Sequence, residues 1–289
     1  MKALACELPA ISGVPLSRWS AQEVARETME RGIVASISGT SVWRWLSEDA
    51  IRPFYHRSWI FPRDPDFAEK AGRVLDLYEG RWEGEALGEG EYVISADEKT
   101  SIQARKRCHP TLPADEDRLV RVEHEYERRG ALAYLAAWDV HRAKLFGRCE
   151  PNNGIEPFGR LVDEVMKEEP YASADRVFWI VDNGSSHRGE RSLKRLQGEW
   201  PKLRLVHLPT HASWLNQIEI YFSVVARKVL TPNDFADLDA LAEGLIAFQE
   251  RYEQAARPFA WKFTRHDLDR LLSRLAEHGP LDSSSVVAA

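Results

Sequence analysis

Arg176-Val177-Phe178-Trp179-Ile180-Val181-Asp182-Asn183 is an unbroken apolar run that finishes on a carboxylate. A run of that length, rich in β-branched and aromatic residues, reads as a strand buried on both faces. The same grammar occurs earlier, in Tyr92-Val93-Ile94-Ser95-Ala96-Asp97-Glu98-Lys99. A buried strand gains nothing from a terminal aspartate unless the charge has a partner, because an unpaired buried charge is expensive. A third acid, Glu219, follows Trp214-Leu215-Asn216-Gln217-Ile218 on a predicted helix over 214–229, bordering its stripe of Leu215, Ile218, Phe222, Val225 and Val229.

Around these runs the order of elements defines a fold class. Strands are expected over 92–97, 119–125, 131–140 and 144–150, with Asp139-Val140-His141-Arg142 turning the last two into a hairpin. A helix over 156–167, the strand to Asp182, a helix over 189–200 and a strand over 203–208 follow. The 214–229 helix and further helices over 235–252 and 265–278 close the chain. This order predicts an α/β mixed sheet, antiparallel on one side and flanked by helices on both faces. The strands carrying Asp97 and Asp182 can then lie side by side. The 37 positions from Asp182 to Glu219 leave room for helix, strand and turn before the chain returns to the same edge.

Ahead of this domain, residues 1–50 read as a small helical module. Ser20 and Glu23 form a capping box, and Trp19 and Val24 a hydrophobic staple, for a helix to about Arg31. Ser38 caps a second helix whose Val42, Trp45 and Leu46 share a face, leaving Thr40, Ser41 and Arg44 outward. The pair reads as an ordinary helical hairpin or as a helix-turn-helix whose second helix enters the major groove. Residues 51–90 are expected to hold an extended Pro- and Arg-rich linker and a connecting helix over 66–82. The catalytic domain is assigned to 91–280, with 281–289 as a frayed tail.

Bulk properties narrow the function. The 289 residues carry a net charge of −6, which argues against a general nucleic-acid coat protein but not against an enzyme with an acidic centre. No stretch resembles a membrane span or signal peptide. Cys6, Cys108 and Cys149 lack metal or disulfide spacing. A cytoplasmic protein, nucleoid-associated when bound to DNA, is expected. Lys99, Arg105, Lys106 and Arg107 form a local basic patch suited to phosphate or simply to solvent.

Three converging carboxylates suit two Mg²⁺ ions about 3.5 to 4 Å apart, with Mn²⁺ an acceptable substitute. One such ion activates a water or a 3′-hydroxyl and the other steadies the leaving oxygen, so no protein nucleophile is needed. Asn183 and Asn216 could hold supporting hydrogen bonds. His187 could orient phosphate or water, or cap the next helix.

Asp97-Glu98-Lys99-Thr100-Ser101-Ile102-Gln103-Ala104, Val181-Asp182-Asn183 with His187, and Pro209-Thr210-His211-Ala212-Ser213-Trp214-Leu215-Asn216-Gln217-Ile218-Glu219 resemble the three blocks of the DDE transposases. The insertion sequence 630 branch of the mariner-like superfamily is the nearest in pattern, most specifically in the Ser-Trp-Leu-Asn run. The resemblance spans about residues 16–275. It implies a ribonuclease-H-like catalytic domain behind a helix-turn-helix, with Asp97, Asp182 and Glu219 as metal-binding triad. The implied partners are double-stranded DNA at terminal inverted repeats and at a target, and a second copy of the chain when two ends are paired. Relatives often carry a further helical module ahead of the one seen here, and only about fifteen residues precede Leu16, so a shortened N-terminus is expected. Two other readings remain open: a different ribonuclease-H-like endonuclease, and a DNA-binding relic without turnover.

Overall fold

The computed structural model describes residues 1–56, 62–184 and 196–277. The chain forms two compact units, Met1–Phe61 and Pro62–Ala289. In the first, α1 (Lys2–Cys6), α2 (Ala21–Glu30) and α3 (Gly39–Glu48) surround a core of Leu4, Ala5, Trp19, Val24, Ala25, Val42 and Leu46. Ser20 and Ser38 are the helix N-caps, accepting from the amides of Glu23 and Ser41, each at 3.1 Å. Trp19 and Val24 are buried together, as a staple requires, and the Trp19 indole donates to Glu7 O at 2.8 Å. α1 has no counterpart in the sequence reading, since five residues are too few to show a period. The core it helps enclose is narrow, so only the i, i+4 pair Val42 and Leu46 is buried on α3. Trp45, expected on that face, is 38% exposed, and Trp43 is 56% exposed.

The second unit opens with α4 (Phe67–Tyr78) and the short strands β1 (Arg81–Trp82) and β2 (Glu85–Ala86). Their turn places Glu83 and Gly84 at φ 51° and 88°, the two positive values that a tight two-residue hairpin needs. Then come β3 (Glu91–Arg107), β4 (Tyr126–Asp139), β5 (Leu145–Glu150), α5 (Ile155–Lys167), β6 (Arg176–Val181) and β7 (Leu203–His207). A 3₁₀ turn at Ser213–Leu215 leads into α6 (Ile218–Lys228), α7 (Leu238–Glu253) and α8 (Arg265–Ala276). The sheet order is β5-β4-β3-β6-β7, antiparallel from β5 to β3 and parallel from β3 to β7. It is the mixed sheet that the order of elements predicts.

Period-two alternation divides the sheet into two cores. Leu132, Tyr134, Ala136 and Trp138 of β4, with Val93, Phe178 and Ile180, face α4, α6, α7 and α8. Ala133, Leu135 and Ala137, with Ile94, Trp179 and Val181, face α5. α4 is therefore a core helix of this unit rather than a connector. Its Ala71, Val74, Leu75 and Leu77 are buried against the sheet, and Arg265 of α8 grips its Asp76. The 139–142 turn is stabilised as expected, with Asp139 Oδ1 accepting from His141 N and Arg142 N at 3.0 and 2.9 Å.

Three expectations fail. Residues 119–125 are not a strand: apart from a single bridge from Leu112 to Arg121 they join no β-ladder among the described residues, and Leu119 is 87% exposed. Their alternation has no sheet face to bury against, because β4 already occupies that flank of β3. β3 does not stop at Asp97 but runs to Arg107, because β4 follows it outward as far as the Arg107–Tyr126 pair. The last helix break differs too. α6 starts at Ile218, not 214, because Asn216 is extended at ψ 115° and its side chain is committed to β3. Of the helix expected over 189–200, the described part is helical at 196–199.

Candidate active site

The parallel pairing of β3 with β6 ends at Ser95 opposite Ile180. Two residues further along stand Asp97, on β3, and Asp182, the first residue past β6. Both share parity with Val93, Phe178 and Ile180, so both belong to the face covered by α6. Glu219 lies in the first turn of that helix, half-buried. Sheet register and helix placement thus bring the three acids to one locality.

Their charges feel one another. Asp97 is only 8% exposed, and its carboxyl is pushed up to about 7. Burial is the main cause, Asp182 adds to it, and Glu98 and Glu219 contribute further, against the opposing hydrogen bond from Glu98 N to Oδ1 at 2.8 Å. Glu219 is also raised, first by burial and then by Asp182, with the Lys99 ammonium pulling the other way. Asp182 Oδ1 accepts from Gly184 N at 2.7 Å. Among the described residues no three His, Cys, Asp or Glu side chains are closed into a preformed metal-ligand group. The donor set still suits a hard divalent cation: hard oxygen ligands whose mutual repulsion a cation would relieve.

A buried polar clamp ties the third acid's block to the first. Asn216 is fully buried, and its Nδ2 donates to Ala96 O at 3.0 Å and to Asp97 Oδ2 at 3.3 Å. Its Oδ1 accepts from the Ser95 hydroxyl, which itself accepts from Ile218 N at 3.0 Å. Asn216, expected beside Glu219 along one helix, lies outside the helix and bridges to β3. Ser95 was missed, although a lone serine inside Val93-Ile94-Ser95-Ala96 is the signal that finds it. Asn216→Ala should lower stability by about 3 kcal/mol in urea unfolding, since it removes the donor to the buried Ala96 carbonyl and the acceptor of the Ser95 hydroxyl. A loss under about 1 kcal/mol would mean that the clamp relaxes at little cost.

The remaining candidates are distributed. Asn183 Nδ2 donates to Leu208 O at 2.5 Å, tying the end of β6 to the end of β7. His187 lies outside the described residues. Lys99 is half-buried and acts on Glu219 through its charge. The patch beyond it is a strand, not a loop, and two of its arginines are engaged within the chain. Arg105 and Arg107 lie over the Tyr126 ring at 4.8 and 5.1 Å, and Arg107 also donates to Glu123 O, His124 O and Asn233 O. Lys106 is exposed. In the first unit Thr40 and Arg44 are exposed and Ser41 is half-buried.

Residues 92–242 match the sequence profile described as DDE superfamily endonuclease, a stretch that contains all three acids. The chain belongs to the DDE superfamily endonucleases. Solved structures similar to this DDE-family chain include a pre-cleavage Mos1 transpososome, at 14% identity and TM-score 0.56, covering 96% of this chain and 80% of that one. The Mos1 strand transfer complex is similar at 12% identity and TM-score 0.56, over 98% and 79%. The Mos1 mariner paired-end complex with Mn aligns at 14% identity and TM-score 0.55, over 94% and 76%. The DDE-family chain thus has the ribonuclease-H-like fold, preceded by an N-terminal helical region. No curated protein sequence matches it.

Proposed function

We propose that this DDE-family chain is a transposase of the insertion sequence 630 branch, which binds terminal inverted repeats, cleaves DNA at element ends and joins the 3′ ends to target DNA. The observation that carries the reading is the convergence of Asp97, Asp182 and Glu219 on one sheet face under α6. The motif blocks around the three acids and the likeness in fold to Mos1 complexes support it.

Asp97, Asp182 and Glu219 would hold divalent metal, two Mg²⁺ ions or Mn²⁺ in their place. When bound, the metal supplies an activated water or 3′-hydroxyl and stabilises charge on the leaving oxygen. The chain's own part is to keep three carboxylates converging, Asp97 buried and Asp182 and Glu219 half-buried. Asn216 fixes the direction of Asp97 by donating to it, Glu98 N holds its other oxygen, and Gly184 N does the same for Asp182. Asn183 and His187 are assigned supporting roles. Lys99 balances Glu219 and, with Lys106, Arg105 and Arg107, flanks the DNA path.

Residues 1–50 are assigned as the DNA-reading helix-turn-helix, with Thr40, Ser41 and Arg44 on the side of α3 turned to the groove. The catalytic domain is assigned to 91–280, with α4 of the 51–90 segment contributing to its core and 281–289 as its tail. The partners are double-stranded DNA and, for pairing two ends, a second copy of the chain. Among the described residues no helix is long and apolar enough to cross a membrane. The proposed location is the cytoplasm, on the nucleoid when bound.

The test is cleavage of a labelled duplex carrying the element's terminal repeat. Mg²⁺-dependent breaks at the repeat end and strand-transfer products, both suppressed by EDTA, are expected. Binding that survives EDTA, without any cleavage when Mg²⁺ is restored, would overturn the active-enzyme reading in favour of a DNA-binding relic. Cleavage without transfer would favour a different endonuclease.

A further inference from the structure

The junction between the 3₁₀ turn and α6 poses a local problem in hydrogen bonding. Neither the turn nor the helix supplies partners for Leu215 O, Gln217 N and Ile218 N, because the first helical amides have no intrahelical acceptor. Buried backbone groups of this kind need other partners. Ser95 serves Ile218 N. The two others are served by one atom. The Tyr78 hydroxyl donates to Leu215 O at 2.7 Å and accepts from Gln217 N at 3.2 Å. Glu219 begins two residues later, its own amide bonded to Asn216 O at 3.1 Å.

Tyr78 is itself held. It ends α4, its ring meets Trp261 edge-on at 5.2 Å between centroids, and the preceding turn is anchored by the two-pronged contact of Arg265 with Asp76 at 2.8 and 2.6 Å. Its hydroxyl also neighbours Ser95, and burial keeps it protonated far beyond the ordinary tyrosine range. A permanently protonated donor held in one place suits a fixed strut.

We propose that Tyr78 is a positioning residue for the carboxylate cluster: its hydroxyl, bridging Leu215 O and Gln217 N, sets where α6 starts and hence where Glu219 stands relative to Asp97 and Asp182. The inference rests on the proposed role of those acids as metal ligands. Tyr78 lies 19 residues before Asp97, outside the sequence blocks that carry the chemistry.

Tyr78→Phe removes the bridging atom and keeps the ring. The matched comparison is Tyr171→Phe, a buried tyrosine on the α5 face whose hydroxyl donates to Asp139 at 2.7 Å. Mn²⁺ binding to the full chain, followed by the paramagnetic signal of free Mn²⁺, should weaken about tenfold or more in Tyr78→Phe. The kcat for repeat-end cleavage should fall about tenfold to a hundredfold with the Kd for the duplex unchanged. Tyr171→Phe should melt lower yet bind Mn²⁺ as the wild type does. Wild-type Mn²⁺ affinity and kcat in Tyr78→Phe, or equal weakening in both variants, would overturn the proposal. Should Tyr78→Phe not fold, Ser95→Ala frees Ile218 N at the same junction and is read by the same criteria. A wild type that binds no Mn²⁺ would instead sink the triad reading itself, and this inference with it.

Discussion

Asp97→Asn is expected to reduce repeat-end cleavage by about a thousandfold or more while making the metal-free protein more stable. The loss follows from removing a charged oxygen donor from the proposed metal-binding cluster. The gain follows from linkage. Asp97 titrates at about 7 in the fold against an ordinary value of 3.8. A raised carboxyl costs the fold nothing below the unfolded value, costs more through the interval from about 4 to 7, and reaches its full penalty above. The difference corresponds to an upper figure on the order of 4 kcal/mol at pH 8. Asparagine carries no charge there and retains an oxygen for Glu98 N, while its amide nitrogen, set against the Asn216 Nδ2 donor, takes back part of the gain. In thermal melts without divalent metal, the wild type should lose stability as pH rises from 5 to 8, and the variant should show a flatter profile and a higher Tm at pH 8. A variant that melts lower than wild type at pH 8 would refute the account of Asp97 as a strained acid.

Glu219→Gln should cost cleavage on the same scale, about a thousandfold, with little change in melting temperature. The contrast comes from surroundings. Glu219 is half-buried at a helix start and Lys99 offsets part of its repulsion, so neutralising it relieves less strain than at Asp97. Glutamine keeps the length of the side chain, which isolates charge as the variable. Repeat binding measured by gel shift should be unchanged, since the side chains proposed to read the repeat, Thr40, Ser41 and Arg44, lie in the first unit and Glu219 in the second. Cleavage within tenfold of wild type would remove Glu219 from the triad.

The sheet was legible because its signals are local. Apolar runs at 92–97 and 176–182 and alternation at 131–139 each announce a strand within a few residues. Pairing partners are not local, and this is why Asp97 looked like a strand end: the sequence cannot say that β4 follows β3 outward while the pairing of β3 with β6 ends at Ser95 and Ile180. At 119–125 the converse holds: the apolar residues there resemble a strand, but β4 already pairs with that side of β3. Among site residues, the three acids and Asn216 stood out because a polar residue beside buried apolar ones is conspicuous. Tyr78 did not, since a tyrosine at position i+4 or i+3 of an apolar helix face reads as core. Its hydroxyl acquires meaning only once Leu215 and Gln217 lie beside it.

The two aspartates share a face only because each stands an even number of residues beyond the last aligned pair, Ser95 with Ile180. This imposes an arithmetic on inheritance. A one-residue insertion or deletion between 95 and 97, or between 180 and 182, would turn a carboxylate to the α5 side without altering composition or hydrophobicity. The stretch from 108 to 125 carries no such parity, because it lies outside the pairing of β3 with β4. Length variation in descendants of this chain should therefore accumulate there, and be purged from the few positions that count in twos.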